Sequence, residues 1–270
     1  MHDPLPISPE PPPEPASRPS LPGRVVVRPG RDEAIDAAAL ELMVQAQNCV
    51  RTFGDFHLAV SATAGLEPLL ARLMYDPALR DLPWKRTHLW LVDEVAVPTG
   101  DPRARSERLR GLIVEPSDMP EEQFHPIRAG LADAAEEYER TLRETLGWRE
   151  KGHDRLDYVL FAADPDSPLL SPPAGDAPDR LVLDRPVGET VGVAMTARMI
   201  NAARFLAVFA AGDASGPAVR GLSQQWRSTP PAQRETDDSL PLGLVLSPLA
   251  GELRWYVALE PATTGDAPQR

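Results

Sequence analysis

Short apolar runs recur along this chain without polar alternation: FHLAVS at 56–61, DYVLFA at 157–162 and FLAVFA at 205–210. A strand with one wet face alternates, whereas a strand apolar on both faces belongs to a parallel sheet covered on each side. Between these runs lie longer stretches whose apolar residues return every three or four positions, the period of a helix. Residues 32–53 are the clearest case, with Ile35, Ala39, Leu42, Ala46, Cys49 and Phe53 on one face. The pattern predicts strands at 24–28, 56–61, 88–92, 157–162, 192–196, 205–210, 243–246 and 254–259. It predicts helices at 32–53, 66–75, 103–114, 131–147, 197–204 and 216–226. Strands alternating with helices give an α/β fold, a mainly parallel sheet with helices on both faces. In such a sheet a ligand is expected beyond the carboxyl ends of the strands.

Residues 1–22 are dense in proline and read as a disordered tail, with the domain over 23–262 and a frayed end over 263–270. The net charge of −12 argues against nucleic acid, which needs basic stripes. One cysteine, Cys49, allows no internal disulfide and fits a reducing compartment; its place on an apolar helix face predicts a buried thiol. The first residues lack a basic and apolar leader, and no apolar run is long enough to span a bilayer. A cytoplasmic protein without membrane contact is expected. There is no GxGxxG, no GxxxxGK[ST], no CxxC and no HExxH, so neither a nucleotide cofactor nor a metal is signalled.

The segments that follow the strands carry a resemblance. FHLAVSATAG at 56–65, Trp84 with HLWLVDEVAVP at 88–98, and DPRARSERLRGLI at 101–113 come first. LDYVLFAADPDSPLLSPPAG at 156–175, VAMTARMINAAR at 193–204, GDAS at 212–215 and LRWYVAL at 253–259 follow. In order and spacing they resemble the motifs of 6-phosphogluconolactonases, which share their fold with glucosamine-6-phosphate deaminases and hydrolyse 6-phosphogluconolactone in the pentose phosphate pathway. The resemblance implies a general base at a histidine and a phosphate held by glycines and basic side chains. Here the histidine position is Pro168 and the preceding glycine is Ser167, with Asp166 retained. Two loop glycines become Ala62 and Thr63. Two arginine positions carry Val95 and Gly192, and a lysine position carries Ser215. A Ser-Asn pair becomes Ala104 and Arg105, and a closing aspartate becomes Ala258.

The expected function is therefore a 6-phosphogluconolactonase-like protein that is catalytically degenerate and acts in binding or regulation. The alternatives are a lactonase working with rearranged groups, or another hydrolytic or isomerase chemistry on the same scaffold. The candidate catalytic residues are Asp166 and Asp93; the candidate substrate contacts are Ser61, Glu94, Arg105 and Arg198, with a small sugar phosphate as the ligand. Each has a plainer reading. Asp93 and Glu94 suit capping or ion pairing, Asp166 suits a turn, and Arg103, Arg105, Arg108 and Arg110 suit a solvated helix face. His125 reads as structural, and His153 could replace the missing base only through an unexpected loop excursion.

Overall fold

The computed structural model describes residues 18–258, apart from 99, 148–154, 174–178, 188–189, 213, 235–236, 238 and 249–250; His153 lies outside the described residues. In chain order the elements are β1 (Arg24–Arg28), α1 (Arg31–Phe53), β2 (Phe56–Val60), α2 (Glu67–Tyr75), β3 (Thr87–Leu91) and β4 (Asp93–Val95). Next come α3 (Arg105–Leu109), β5 (Phe124–His125), α4 (Ala134–Gly147), β6 (Tyr158–Ala162), β7 (Val182–Val187) and β8 (Thr190–Met195). The chain continues with α5 (Ala197–Asn201), β9 (Phe205–Ala210), α6 (Ser215–Ser228), α7 (Pro231–Arg234), α8 (Leu242–Val245) and β10 (Glu252–Ala258).

Seven strands form one sheet in the order β1-β10-β9-β6-β2-β3-β5, and every neighbouring pair is parallel. The fully apolar runs behave as their composition requires: β2, β6 and β9 are buried at every position. α1 buries Ala34, Ile35, Ala38, Ala39, Leu42, Ala46 and Cys49. It stops at Gly54, whose φ of 95° is left-handed and whose N–H closes on Val50 O at 2.9 Å. Only glycine adopts that conformation without a steric penalty.

The topology sets where a ligand can sit. From β2 the chain builds outward through β3 to β5; from β6 it builds the other way through β9 to β10. The direction reverses between β2 and β6, so their following loops diverge and open a crevice.

Four expectations change. The run at 243–246 is not a strand: Leu242–Val245 is the short helix α8, and Gly243 packs against Leu169 O and Leu222. A four-residue apolar run carries no periodicity to separate the two states. The strand expected at 192–196 exists as β8 but lies outside the main sheet, in an antiparallel sheet of order β4-β8-β7. β7 went unread because VLDRPV contains Asp184, Arg185 and Pro186, and proline is tolerated only on an edge strand such as this. The helix expected at 103–114 is α3 followed by a π turn over Arg110–Val114, and those expected at 131–147 and 197–204 are shorter. Finally, residues 18–22 lie on the domain, so its ordered start precedes residue 23: Leu21 is buried, Ser20 N donates to Ser223 Oγ, and Trp255 Nε1 donates to Pro22 O.

Candidate functional site

Tyr138 on α4 fixes the end of β3. Its hydroxyl donates to Leu91 O at 2.8 Å and accepts from Leu91 N at 2.9 Å. Burial pushes the phenol well above its ordinary range, so it stays protonated and keeps both bonds. Immediately beyond, the chain leaves the main sheet and β4 pairs with β8, which turns Asp93 towards the crevice.

Four groups from four segments of the chain meet there. Ser61, just after β2, donates from Oγ to Asp93 Oδ1 at 2.8 Å. Arg105, at the start of α3, donates from Nη1 to Ser61 Oγ at 3.1 Å and pairs with Asp93 Oδ2. Its Nη2 donates to the backbone carbonyl of Asp166 at 2.8 Å, in the loop after β6. Asp93 is 1% exposed and Arg105 5% exposed. A buried ion pair this dry persists only when hydrogen bonds complete it, as Ser61 and Asp166 O do here.

Glu94 faces the other way and has a different task. Its carboxylate accepts from Val95 N (2.8 Å), Arg105 N (2.8 Å) and Ser106 N (2.7 Å), closing the first turn of α3. Burial raises its pKa above the usual carboxylate value, against these hydrogen bonds, which lower it. Glu94 is thus a helix cap of the kind a carboxylate makes at positive helix ends.

Much of the loop Ser61–Gly65 is tied down by hydrogen bonds within the protein. The N–H groups of Ser61, Thr63 and Leu66 donate to Leu160 O, Ser61 O and Thr63 O. Arg108 Nη1 donates to Ala62 O at 2.6 Å. Asp164, which the sequence reading passed over, accepts from Thr63 Oγ1 (2.5 Å), Gly65 N (2.9 Å) and Asp166 N (3.1 Å), tying the loop after β2 to the loop after β6. A β-carbon on Gly65 would overlap the Asp164 carboxylate, so only glycine lets the clamp close.

Asp166 itself contributes its backbone; its residue is exposed. Pro168 is buried at the start of a 3-10 turn over Pro168–Leu170, capped by Ser167 Oγ, which accepts from Leu169 N. Arg198 has no described contact with this cluster. Its guanidinium is 58% exposed and lies 3.8 Å from Asp179. Of the other arginines, Arg103 pairs with Asp101, Arg108 with Glu67 and Arg110 with Glu121. Beside the cluster, Glu94, Val95, Ala104, Ser106, Arg110 and Arg128 help line a cavity of about 430 Å³.

Away from the crevice, His57, His88 and His125 stand on β2, β3 and β5, stacked with Trp90. Asp55, His57 and His88 bring donor atoms within 4.8 Å of one another. The set does not fit a metal ion. Trp90 Nε1 donates to His57 Nδ1 at 3.1 Å, which leaves the imidazole proton on Nε2, the nitrogen that would have to coordinate.

A family model described as glucosamine-6-phosphate isomerases/6-phosphogluconolactonase matches residues 29–255. The chain belongs to that family. The human GDH/6PGL endoplasmic bifunctional protein is 35% identical over 100 residues, 37% of this chain, which spans only 12% of that protein's length. The 6-phosphogluconolactonase of Streptomyces coelicolor is 23% identical over 211 residues, covering 73% of this chain and 81% of the relative. Among solved structures, the 6-phosphogluconolactonase from Trypanosoma cruzi superposes with a TM-score of 0.68 at 18% identity, covering 87% of this chain and 94% of that one. A monomeric glucosamine-6-phosphate deaminase gives 0.65 at 14%, covering 86% and 95%. These likenesses establish the fold.

Proposed function

We propose that this family member does not hydrolyse 6-phosphogluconolactone and acts instead by binding a small anionic ligand in the crevice between β2 and β6. One observation carries the reading. The groups that converge on the crevice are engaged with one another, Arg105 with Asp93, Ser61 and Asp166 O, while the position expected to hold the base is a buried proline.

Hydrolysis of an ester needs a group that takes a proton from water as it attacks the carbonyl, worth roughly 10²–10⁴ in rate. Pro168 has no such group. Asp93 holds Arg105, Glu94 caps α3, and Asp166 meets the cluster only through its carbonyl. In the loop that should present N–H groups to a phosphate, those of Ser61, Thr63, Gly65 and Leu66 already have acceptors, and among the described hydrogen bonds only those of Ala62 and Ala64 do not.

The test is a steady-state assay with freshly generated 6-phosphogluconolactone, corrected for spontaneous hydrolysis. Wild-type protein should add nothing above the spontaneous rate. Pro168→His alone should add nothing either, since Val95, Gly192 and Ser215 still leave the ligand without the family's cations. Turnover by the wild type at a rate ordinary for a lactonase would sink the reading.

A further inference from the structure

Resting on the reading of the crevice as a binding site, we infer that Arg185 is its anion-contacting residue, supplied from an edge strand and reaching across the side chain that Gly192 lacks. The register of the small sheet carries the argument. Val95 on β4, Gly192 on β8 and Arg185 on β7 are direct partners across the three strands, and Asp93, Ala194 and Leu183 form the next row but one. Paired residues in an antiparallel sheet share a face, as do residues two apart along a strand. Arg185 therefore stands on the same face as Asp93, whereas Glu94 and Asp184 stand on the opposite one.

The middle of Arg185's row carries no side chain. Gly192 is buried and has no side chain, and its φ is not left-handed. A long side chain from β7 can lie over that gap towards β4. The electrostatics agree with such a path: burial pulls the Arg185 guanidinium below its ordinary value, nearby Asp93 holds it up, and Arg105 pushes it down. Arg185 senses both members of the buried pair.

Arg185 is also distinct in what holds it. It is half-buried, and its described side-chain hydrogen bond goes to the neighbouring carbonyl of Pro186 at 3.2 Å. Among the described residues no carboxylate lies within ion-pair range of Arg185, in a protein of net charge −12. Asp93 and Arg105 neutralise each other, so Arg185 adds a positive charge beside a neutral pair. A planar guanidinium suits a phosphate or carboxylate, which it grips through two N–H groups.

The experiment is isothermal titration of the full chain at low salt with 6-phosphogluconate, inorganic phosphate and gluconate, on the wild type, Arg185→Gln and Gly192→Val. The wild type should bind at least one of the three, which identifies the group recognised. Arg185→Gln should weaken that binding roughly tenfold or more, as loss of a hydrogen bond to a charged group does. Gly192→Val, which keeps the arginine and fills its path, should weaken it in the same direction. Binding should fall as salt rises. No binding of any probe at millimolar concentration would overturn the inference while leaving the absence of hydrolysis untouched. So would binding that Arg185→Gln leaves within twofold. Lactone turnover together with a tenfold loss in Arg185→Gln would sink the non-catalytic reading and keep Arg185 in its role.

Discussion

At the scale of single residues, the centre of the crevice is a charge pair held out of water. Asp93 is 1% exposed, and with Arg105 removed it would keep Ser61 as its described hydrogen-bond donor. Breaking a buried pair by deleting one partner costs about 3–5 kcal/mol, because an uncompensated charge remains inside. Arg105→Ala should therefore lower the unfolding free energy by about that amount in a urea titration, and Asp93→Asn in the same chain should recover part of the loss. A loss below about 1 kcal/mol would show that water reaches Asp93 and that the pair is not buried in solution. The residue types were legible in the sequence: Asp93, Ser61 and Arg105 were singled out, and they meet. Their roles were not. Whether an arginine grips a ligand or a neighbouring aspartate depends on burial, which no local pattern encodes. Arg198 illustrates the point, since it follows β8 closely in sequence but is largely exposed and faces Asp179.

At the scale of elements, the parallel strands announced themselves through composition, because burial on both faces removes polar alternation. The small antiparallel sheet did not. β4 has three residues and β7 carries a proline, so neither gives a periodic signal, and Arg185 was missed with the strand that carries it. The histidine row across β2, β3 and β5 was equally hidden, because register and not sequence spacing aligns it. It has a measurable consequence. Burial first, then the neighbouring His88 and His57, lower the pKa of His125 from 6.5 to about 3. The unfolded chain binds that proton below about pH 6.5 and the folded chain does not. The stability from keeping His125 neutral is thus present above pH 6.5 and lost as pH falls towards 3. His125→Phe keeps a ring against Trp90 and cannot titrate. Its melting temperature should fall less steeply than that of the wild type between pH 6.5 and 3; parallel profiles would mean that His125 protonates freely in the fold.

At the scale of the whole molecule, the fold makes a crevice whether or not chemistry survives in it, since the reversal of strand order between β2 and β6 is a property of the topology. In this chain the crevice holds a clamp from Asp164 to Gly65, a buried proline, and an ion pair tied to the loops after β2 and β6. The overall negative charge repels anions beyond the crevice, an effect that salt screens over about 8–10 Å, so recognition rests on contacts within it. Hydrolysis in the crevice is sought with greatest sensitivity in a single-turnover measurement. Freshly made 6-phosphogluconolactone is mixed with a stoichiometric excess of the protein and followed by phosphorus NMR, so that even one turnover per site is visible. The lactone signal should decay at the rate seen in buffer alone. Decay faster than buffer by tenfold or more, abolished by Asp166→Asn, would overturn the non-catalytic reading and make Asp166 the base of a rearranged lactonase.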